Sequence, residues 1–149
     1  MLLFWQKHQN HKPKQSYPPA LEQHRKSRQS SVPRQNSVGR GRSIMVQRSL
    51  EAAEKLSAEG IEVEVIDPRT LFPLDLKTIV ESLEKTHLVV IVSEAVKRGG
   101  YGDHLTSTLM EKAFYELDGP IVQVAAKNTP IPFAPVMENF VIPDVPDIV

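Results

Sequence analysis

Leu88-Val-Val-Ile-Val92 is an unbroken apolar run of strand length, and what surrounds it limits the folds open to this chain. A strand with one wet face alternates apolar with polar residues. A continuous run is the pattern of a strand buried on both faces, as in a parallel sheet covered by helices. Ser93-Glu-Ala-Val-Lys-Arg-Gly-Gly-Tyr-Gly-Asp103 comes next, with glycine at 99, 100 and 102, and Leu105, Leu109, Ala113 and Leu117 then recur at helical spacing. Strand, tight turn and helix N-terminus is a layout that many ligand sites use. It is also how many α/β proteins turn a corner.

The segments around this run repeat the alternation. Val46, Leu50, Ala53 and Leu56 are spaced for a helix that Gly60 ends. Ile61-Glu-Val-Glu-Val-Ile66 alternates apolar with acidic, as a half-buried strand does. Asp67-Pro-Arg-Thr70 is a turn, and Asp75 is an N-cap candidate for a helix carrying Leu76, Ile79, Val80 and Leu83. Asp103 is the corresponding candidate after the glycine turn. Gly119-Pro120 breaks the third helix, and Ile121-Val-Gln-Val-Ala125 reads as a further strand. Residues 127–149 hold prolines at 130, 132, 135, 143 and 146, which predicts an ordered loop or surface strap anchored by Ile131, Phe133, Met137, Phe140 and Ile142. Helix, strand, helix, strand, helix, strand predicts an α/β fold with a parallel sheet.

The 149 residues carry no net charge, but the sum conceals a division. Residues 1–43 hold nine Lys/Arg and one acid, Glu22; residues 44–149 hold nine Lys/Arg and seventeen acids. From residue 6 to residue 43 the chain is rich in Gln, Ser, Pro, Lys, Arg and His, and poor in the large apolar residues that offset ordering entropy. Residues 1–43 are therefore expected to be a disordered basic tail on a 44–149 domain. Tyr17 is its one interior aromatic, so the stacking pattern of a nucleic-acid arm is missing. The chain has no cysteine, which excludes disulfides, thiolate zinc sites and cysteine nucleophiles. That fits a cytoplasmic protein. No apolar run approaches the ~20 residues of a membrane span, and Met1-Leu-Leu-Phe-Trp5 is too short for a signal-peptide core.

No reactive constellation stands out. Gly99-Gly100-Tyr101-Gly102 matches neither the dinucleotide fingerprint nor a Walker loop. Its glycines suit positive φ and close strand–helix packing, though a helix start can also hold an anion. His87 and His104 lack a second His or an acid at metal-ligand spacing, and both are expected to be structural. Glu94 ends the apolar strand, where α/β sheets place functional groups. A carboxylate there serves either as a base or as an acceptor for backbone N–H groups of the glycine turn.

Four stretches in order carry a resemblance: Glu64-Val-Ile-Asp-Pro-Arg-Thr-Leu-Phe-Pro-Leu-Asp75, Val90-Ile-Val-Ser-Glu-Ala-Val-Lys-Arg-Gly-Gly-Tyr-Gly102, Thr129-Pro-Ile-Pro-Phe-Ala-Pro135 and Ile142-Pro-Asp144. From about Met45 to Val149 the chain resembles the C-terminal, transketolase C-terminal-like domain of the β subunit of thiamine-diphosphate-dependent 2-oxo acid dehydrogenases. Pyruvate, branched-chain 2-oxo acid and acetoin dehydrogenases share that domain. The resemblance implies a three-layer, Rossmann-like, mostly parallel sheet. It implies thiamine diphosphate in the full assembly only, held between other domains, with no catalytic, cofactor-binding or metal residue in this chain. Glu94, Arg98, Gly99, Gly100, Tyr101 and Gly102 become subunit-interface residues. The implied partners are the α subunit, a second β subunit and the dihydrolipoyl acyltransferase core, with no membrane or nucleic acid. No activity is expected of the isolated chain, which reads as a fragment serving subunit association. The alternative is an interaction module or a truncated or frameshifted remnant without activity of its own.

One departure from the family pattern has a structural consequence. Relatives of this kind carry a strand just before the helix that begins near Met45, where this chain has Val38-Gly-Arg-Gly-Arg-Ser43. The first strand of the sheet is thus expected to be missing, leaving two apolar edges with unpaired backbone groups. Residues 44–149 are expected to fold poorly alone, or to repair the gap with another segment or chain. The abrupt change near Ser43–Ile44 is what a reading-frame error would produce.

Overall fold

The computed structural model describes the backbone of Leu2–Gln6 and residues Ser43–Val149. Its elements are β1 (Leu2–Gln6), α1 (Ile44–Ala58), β2 (Glu62–Ile66), α2 (Leu76–Thr86), β3 (Val89–Val96), α3 (Tyr101–Ala113), a 3-10 turn (Phe114–Glu116), β4 (Val122–Ala126), α4 (Pro135–Val141) and α5 (Val145–Ile148). The strands form one sheet in the order β2-β1-β3-β4. β3 and β4 are parallel, whereas β1 is antiparallel to both β2 and β3. Three strands therefore run one way and β1 runs against them.

The gap expected between β2 and β3 is filled from the far end of the sequence. Leu2 to Gln6 pair in order with Ile66 to Glu62, and Leu2 to Phe4 pair with Ile91 to Val89. Leu2–Gln6, at the start of the segment expected to be a disordered tail, is thus a strand: the two bare edges supply backbone partners that no local pattern reveals. The rest of that tail, Met1 and residues 7–42, lies outside the described residues. So does most of Val38–Ser43, of which Ser43 alone is described, as the N-cap of α1.

The apolar run of β3 has a two-sided environment. Val89 and Ile91 pack with Ile79 and Leu83 of α2 and Leu105, Leu109 and Ala113 of α3. Val92 packs on the opposite face with Met45 and Ala52 of α1 and with Ile142, Val145 and Ile148, and Val90 joins it there. Successive strand side chains alternate faces, so a residue pattern without polar interruption is what two helical layers demand. The three-layer α/β architecture follows.

Several local expectations change. The buried residues of α1 are Met45, Val46, Ser49, Ala52 and Leu56: Val46 and Leu56 are buried as expected, but Leu50 is exposed and Ala53 half-buried, and Ser49 and Ala52 take their places. Ser49 is tolerated there because its hydroxyl donates to the Met45 carbonyl at 2.8 Å. α3 begins at Tyr101 with Gly100 as its N-cap, so Asp103 sits inside the first turn rather than capping it. The proline-rich end is not a strap but two short helices, α4 and α5. Of its expected anchors only Ile142 is buried; Ile131, Phe133, Met137 and Phe140 are exposed, and Val141, Val145 and Ile148 do the packing. Asp144 and Asp147 form a capping box on α5, and Arg48 of α1 donates to the Pro143 carbonyl and pairs with Asp144 at 3.2 Å.

Candidate functional site

β2, β3 and β4 all end on the same side of the sheet, so the loops that follow them, 67–75, 97–100 and 127–134, gather at one end. Open α/β sheets place their functional groups at such carboxyl ends. The corner after β3 is built first by a bulge. Ser93 pairs with Ala125 and Val96 with Ala126, which leaves Glu94 and Ala95 outside the ladder. The Ser93 hydroxyl accepts from the Ala95 N–H at 3.1 Å, folding the bulge on itself. Glu94, Lys97 and Arg98 are exposed, and among the described residues neither Glu94 nor Arg98 takes part in an ion pair.

Two of the three glycines are required by the backbone. Gly99 has φ +70°, the left-handed region where other residues are strained. Gly100 cannot carry a side chain, because a Cβ there would lie 2.4 Å from the Val96 carbonyl oxygen. Gly102 is buried, and a Cβ would touch Oε1 of Gln123 at 3.0 Å. That contact belongs to a network. Gln123 Nε2 donates to Thr106 Oγ1 at 2.8 Å and to Asp103 Oδ1 at 3.2 Å, and the Thr106 hydroxyl donates to the Gly102 carbonyl at 2.8 Å.

Asp103 decides what the corner can hold. Its Oδ2 accepts from the Gly99 N–H at 2.8 Å, so the helix start already carries a carboxylate of its own. The acceptor for the glycine turn is thus Asp103, not Glu94. A diphosphate brought here would meet that fixed negative charge and an N–H already engaged. This corner therefore does not fit a diphosphate group, and among the described residues no group of three or more His, Asp or Glu is placed to hold a metal ion.

The corner instead ties neighbouring loops together. Tyr101 donates its hydroxyl to the Leu71 carbonyl at 2.9 Å, fixing loop 67–75. The Arg98 N–H donates to Asn128 Oδ1 at 2.9 Å, fixing the loop after β4. Those loops present Leu71, Phe72, Ile131 and Phe133 to solvent, with Phe72 and Phe133 wholly exposed. The adjoining α4 exposes Val136, Met137 and Phe140, and Lys127 Nζ lies 3.1 Å from the centre of the Phe140 ring. The residue pattern after β4 contained this signal, a proline-spaced apolar series, but it reads equally as core or as surface.

The two body histidines take no part in the corner's ties to its loops. His87 adopts φ +61° as the C-cap of α2, and its Nδ1 lies 2.8 Å from the Glu116 carbonyl, to which it donates. His104 is exposed on α3, its ring tilted against Tyr101 at 5.3 Å. No helix among the described residues is long and apolar enough to cross a membrane.

A mostly parallel sheet covered by helices on both faces, with polar and apolar groups exposed at the carboxyl ends of its strands, defines the class as a three-layer α/β domain. The chain belongs to the family described as the transketolase C-terminal domain, whose model matches residues 41–148. Over 105 residues, 70% of this chain and 32% of the relative, it is 46% identical to the pyruvate dehydrogenase E1 component subunit beta of Staphylococcus epidermidis. It is 40% identical over 101 residues to the pyruvate dehydrogenase E1 component subunit beta of Rhizobium meliloti strain 1021, covering 68% of this chain and 22% of that one. The acetoin:2,6-dichlorophenolindophenol oxidoreductase subunit beta of Bacillus subtilis strain 168 is 45% identical over 98 residues, 66% of this chain and 29% of its own. The resemblance read from the four motifs is borne out. The chain spans only between about a fifth and a third of the length of these curated relatives.

Proposed function

We propose that residues 44–149 serve as the C-terminal association domain of the β subunit of a 2-oxo acid or acetoin dehydrogenase, supplying contact surface rather than reacting groups. The observation that carries this reading is the exposure of Phe72, Phe133, Val136, Met137 and Phe140 at or beside the carboxyl end of the sheet. Large apolar side chains grouped on a surface mark sites of association. The rim is polar, with Glu94 and Arg98 exposed, as in subunit interfaces with an apolar centre. Gly99, Gly100, Tyr101 and Gly102 hold the loops in position behind that surface. The partners are then the α subunit and a second β subunit, with the dihydrolipoyl acyltransferase core as a further contact of the assembly. Thiamine diphosphate belongs to the assembly's other domains. The complete assembly is proposed to decarboxylate its substrate oxidatively, in the cytoplasm, and the isolated chain to turn over nothing.

A second reading draws on β1. A chain that completes its sheet with its own N-terminus is equipped to act as an interaction module without a reaction of its own.

Mixing the chain with the α subunit and the pyrimidine-binding part of the β subunit of a pyruvate or acetoin dehydrogenase separates the two. The first reading expects a heavier species in sedimentation, with dye reduction by 2-oxo acid or acetoin appearing only in the mixture. A heavier species without turnover supports the module. An unchanged sedimentation profile overturns the first reading.

A further inference from the structure

β1 differs from the other strands in how it enters the sheet. β2, β3 and β4 each follow a helix, α1, α2 and α3, in sequence and run in one direction. β1 runs against both neighbours, and residues 7–43 stand between it and α1 in the sequence. A segment that lies antiparallel along two edges of like direction, joined to them by backbone pairing, has the geometry of an added strand.

The walls of the gap, β2 and β3, also have contacts of their own with the covering helices. Val63 and Val65 of β2 and Val90 of β3 pack on one face against Met45 and Ala52 of α1 and against Ile142, Val145 and Ile148. On the other face, Ile79 and Leu83 of α2 pack with Val89 and Ile91 of β3, and Ser82 of α2 donates to Glu64 of β2 at 2.7 Å. Helices on both faces thus touch both β2 and β3, the two walls of the gap.

We propose that the gap between β2 and β3 is a strand-acceptor site whose ligand is the chain's own N-terminal segment, Leu2–Gln6, bound as a separable strand. The ligand class follows from the walls: an extended peptide, apolar and without proline, lying with its N-terminus opposite Ile66 and Ile91. Backbone donors and acceptors on two edges give the affinity, and a proline inside the segment removes one donor from the ladder.

The test uses the full chain with a specific protease site inserted between residues 20 and 30, and does not depend on any dehydrogenase partner. After cleavage the N-terminal fragment is expected to co-elute with the body at one-to-one stoichiometry. A labelled synthetic peptide of residues 1–7 in excess is expected to replace it. Amide hydrogens of β2 and β3 remain protected throughout. The same peptide carrying Leu3→Pro should compete at least about tenfold more weakly. Departure of the fragment while β2 and β3 stay protected would overturn the proposal, as would a retained fragment that excess peptide cannot replace. Equal competition by the proline peptide would also overturn it, because pairing would then not be the basis of binding.

Discussion

Gly99 and Gly100 are adjacent, yet substitution at each meets a different obstacle. At Gly99 nothing lies within 4 Å of the place a Cβ would take, so the cost of Gly99→Ala is the strain of φ +70° alone, about 1 kcal/mol. At Gly100 the obstacle is the Val96 carbonyl oxygen at 2.4 Å, a backbone atom in the bulge that cannot swing aside. Gly100→Ala must move the strand end, and a loss of about 2–3 kcal/mol is expected. Urea unfolding of the two variants should rank Gly100→Ala as the more damaging, with Gly99→Asn milder than Gly99→Ala. The reverse ranking would mean that the bulge is soft. The glycine run was visible in the sequence as a corner, and its apolar predecessor as a strand. What could not be read was the division of labour between Asp103 and Glu94. Both are acids beside the turn, and only the bulge, by pushing Glu94 outward, decides which one accepts from Gly99.

Helix ends show where element-level reading succeeds and where it stops. Asp75 was legible as a cap because an acid followed by an apolar 3.6-residue pattern has one efficient use. Its carboxylate accepts from the Thr78 hydroxyl at 2.6 Å and from the Thr78 N–H at 3.2 Å, and these bonds, aided by the nearby Lys77, hold its pKa below the usual carboxylate range. A carboxyl whose pKa falls on folding stabilises the native state above its unfolded pKa, and that contribution is lost as pH falls through the folded value. Asp75→Ala should therefore lower stability by about 1 kcal/mol at neutral pH. The gap between variant and wild type should close on acidification below the ordinary carboxylate range. Thermal melts across pH 7 to 2.5 would show it, and a constant gap would mean that Asp75 acts by packing instead of charge. The last two helices were missed for the opposite reason. Pro135 and Pro146 look like breakers, but each occupies a first-turn position, where the absent N–H is no loss. Ile142, Val145 and Ile148 then reach the second core beside Met45 and Val92, a partnership across a hundred residues that local spacing does not encode.

At the scale of the molecule, β1 completes the sheet, whereas the exposed aromatic residues belong to neither core. The sheet needs a strand between β2 and β3, and an orphaned buried backbone group costs ~1–3 kcal/mol against a total stability of ~5–15 kcal/mol. The need was legible from the pattern before Met45. The supplier was not, since pairing partners sixty residues apart share no local signature. Phe72, Phe133 and Phe140 present the complementary case. They lie outside both core clusters, so they contribute little to the fold of one copy. Left in water, such side chains drive association with whatever apolar surface is offered, at ~25 cal/mol per Å² removed from water. Replacing all three by serine should leave the melting temperature within about 2 °C of the wild type, because exposed positions away from caps and cores rarely shift stability. The same variant should lose the concentration-dependent rise in mass expected of the unsubstituted chain in sedimentation equilibrium, and its affinity for an added β subunit should fall by at least about tenfold. A variant that melts early would show that these rings support the monomer. One that associates as before would place the contact surface elsewhere on the domain.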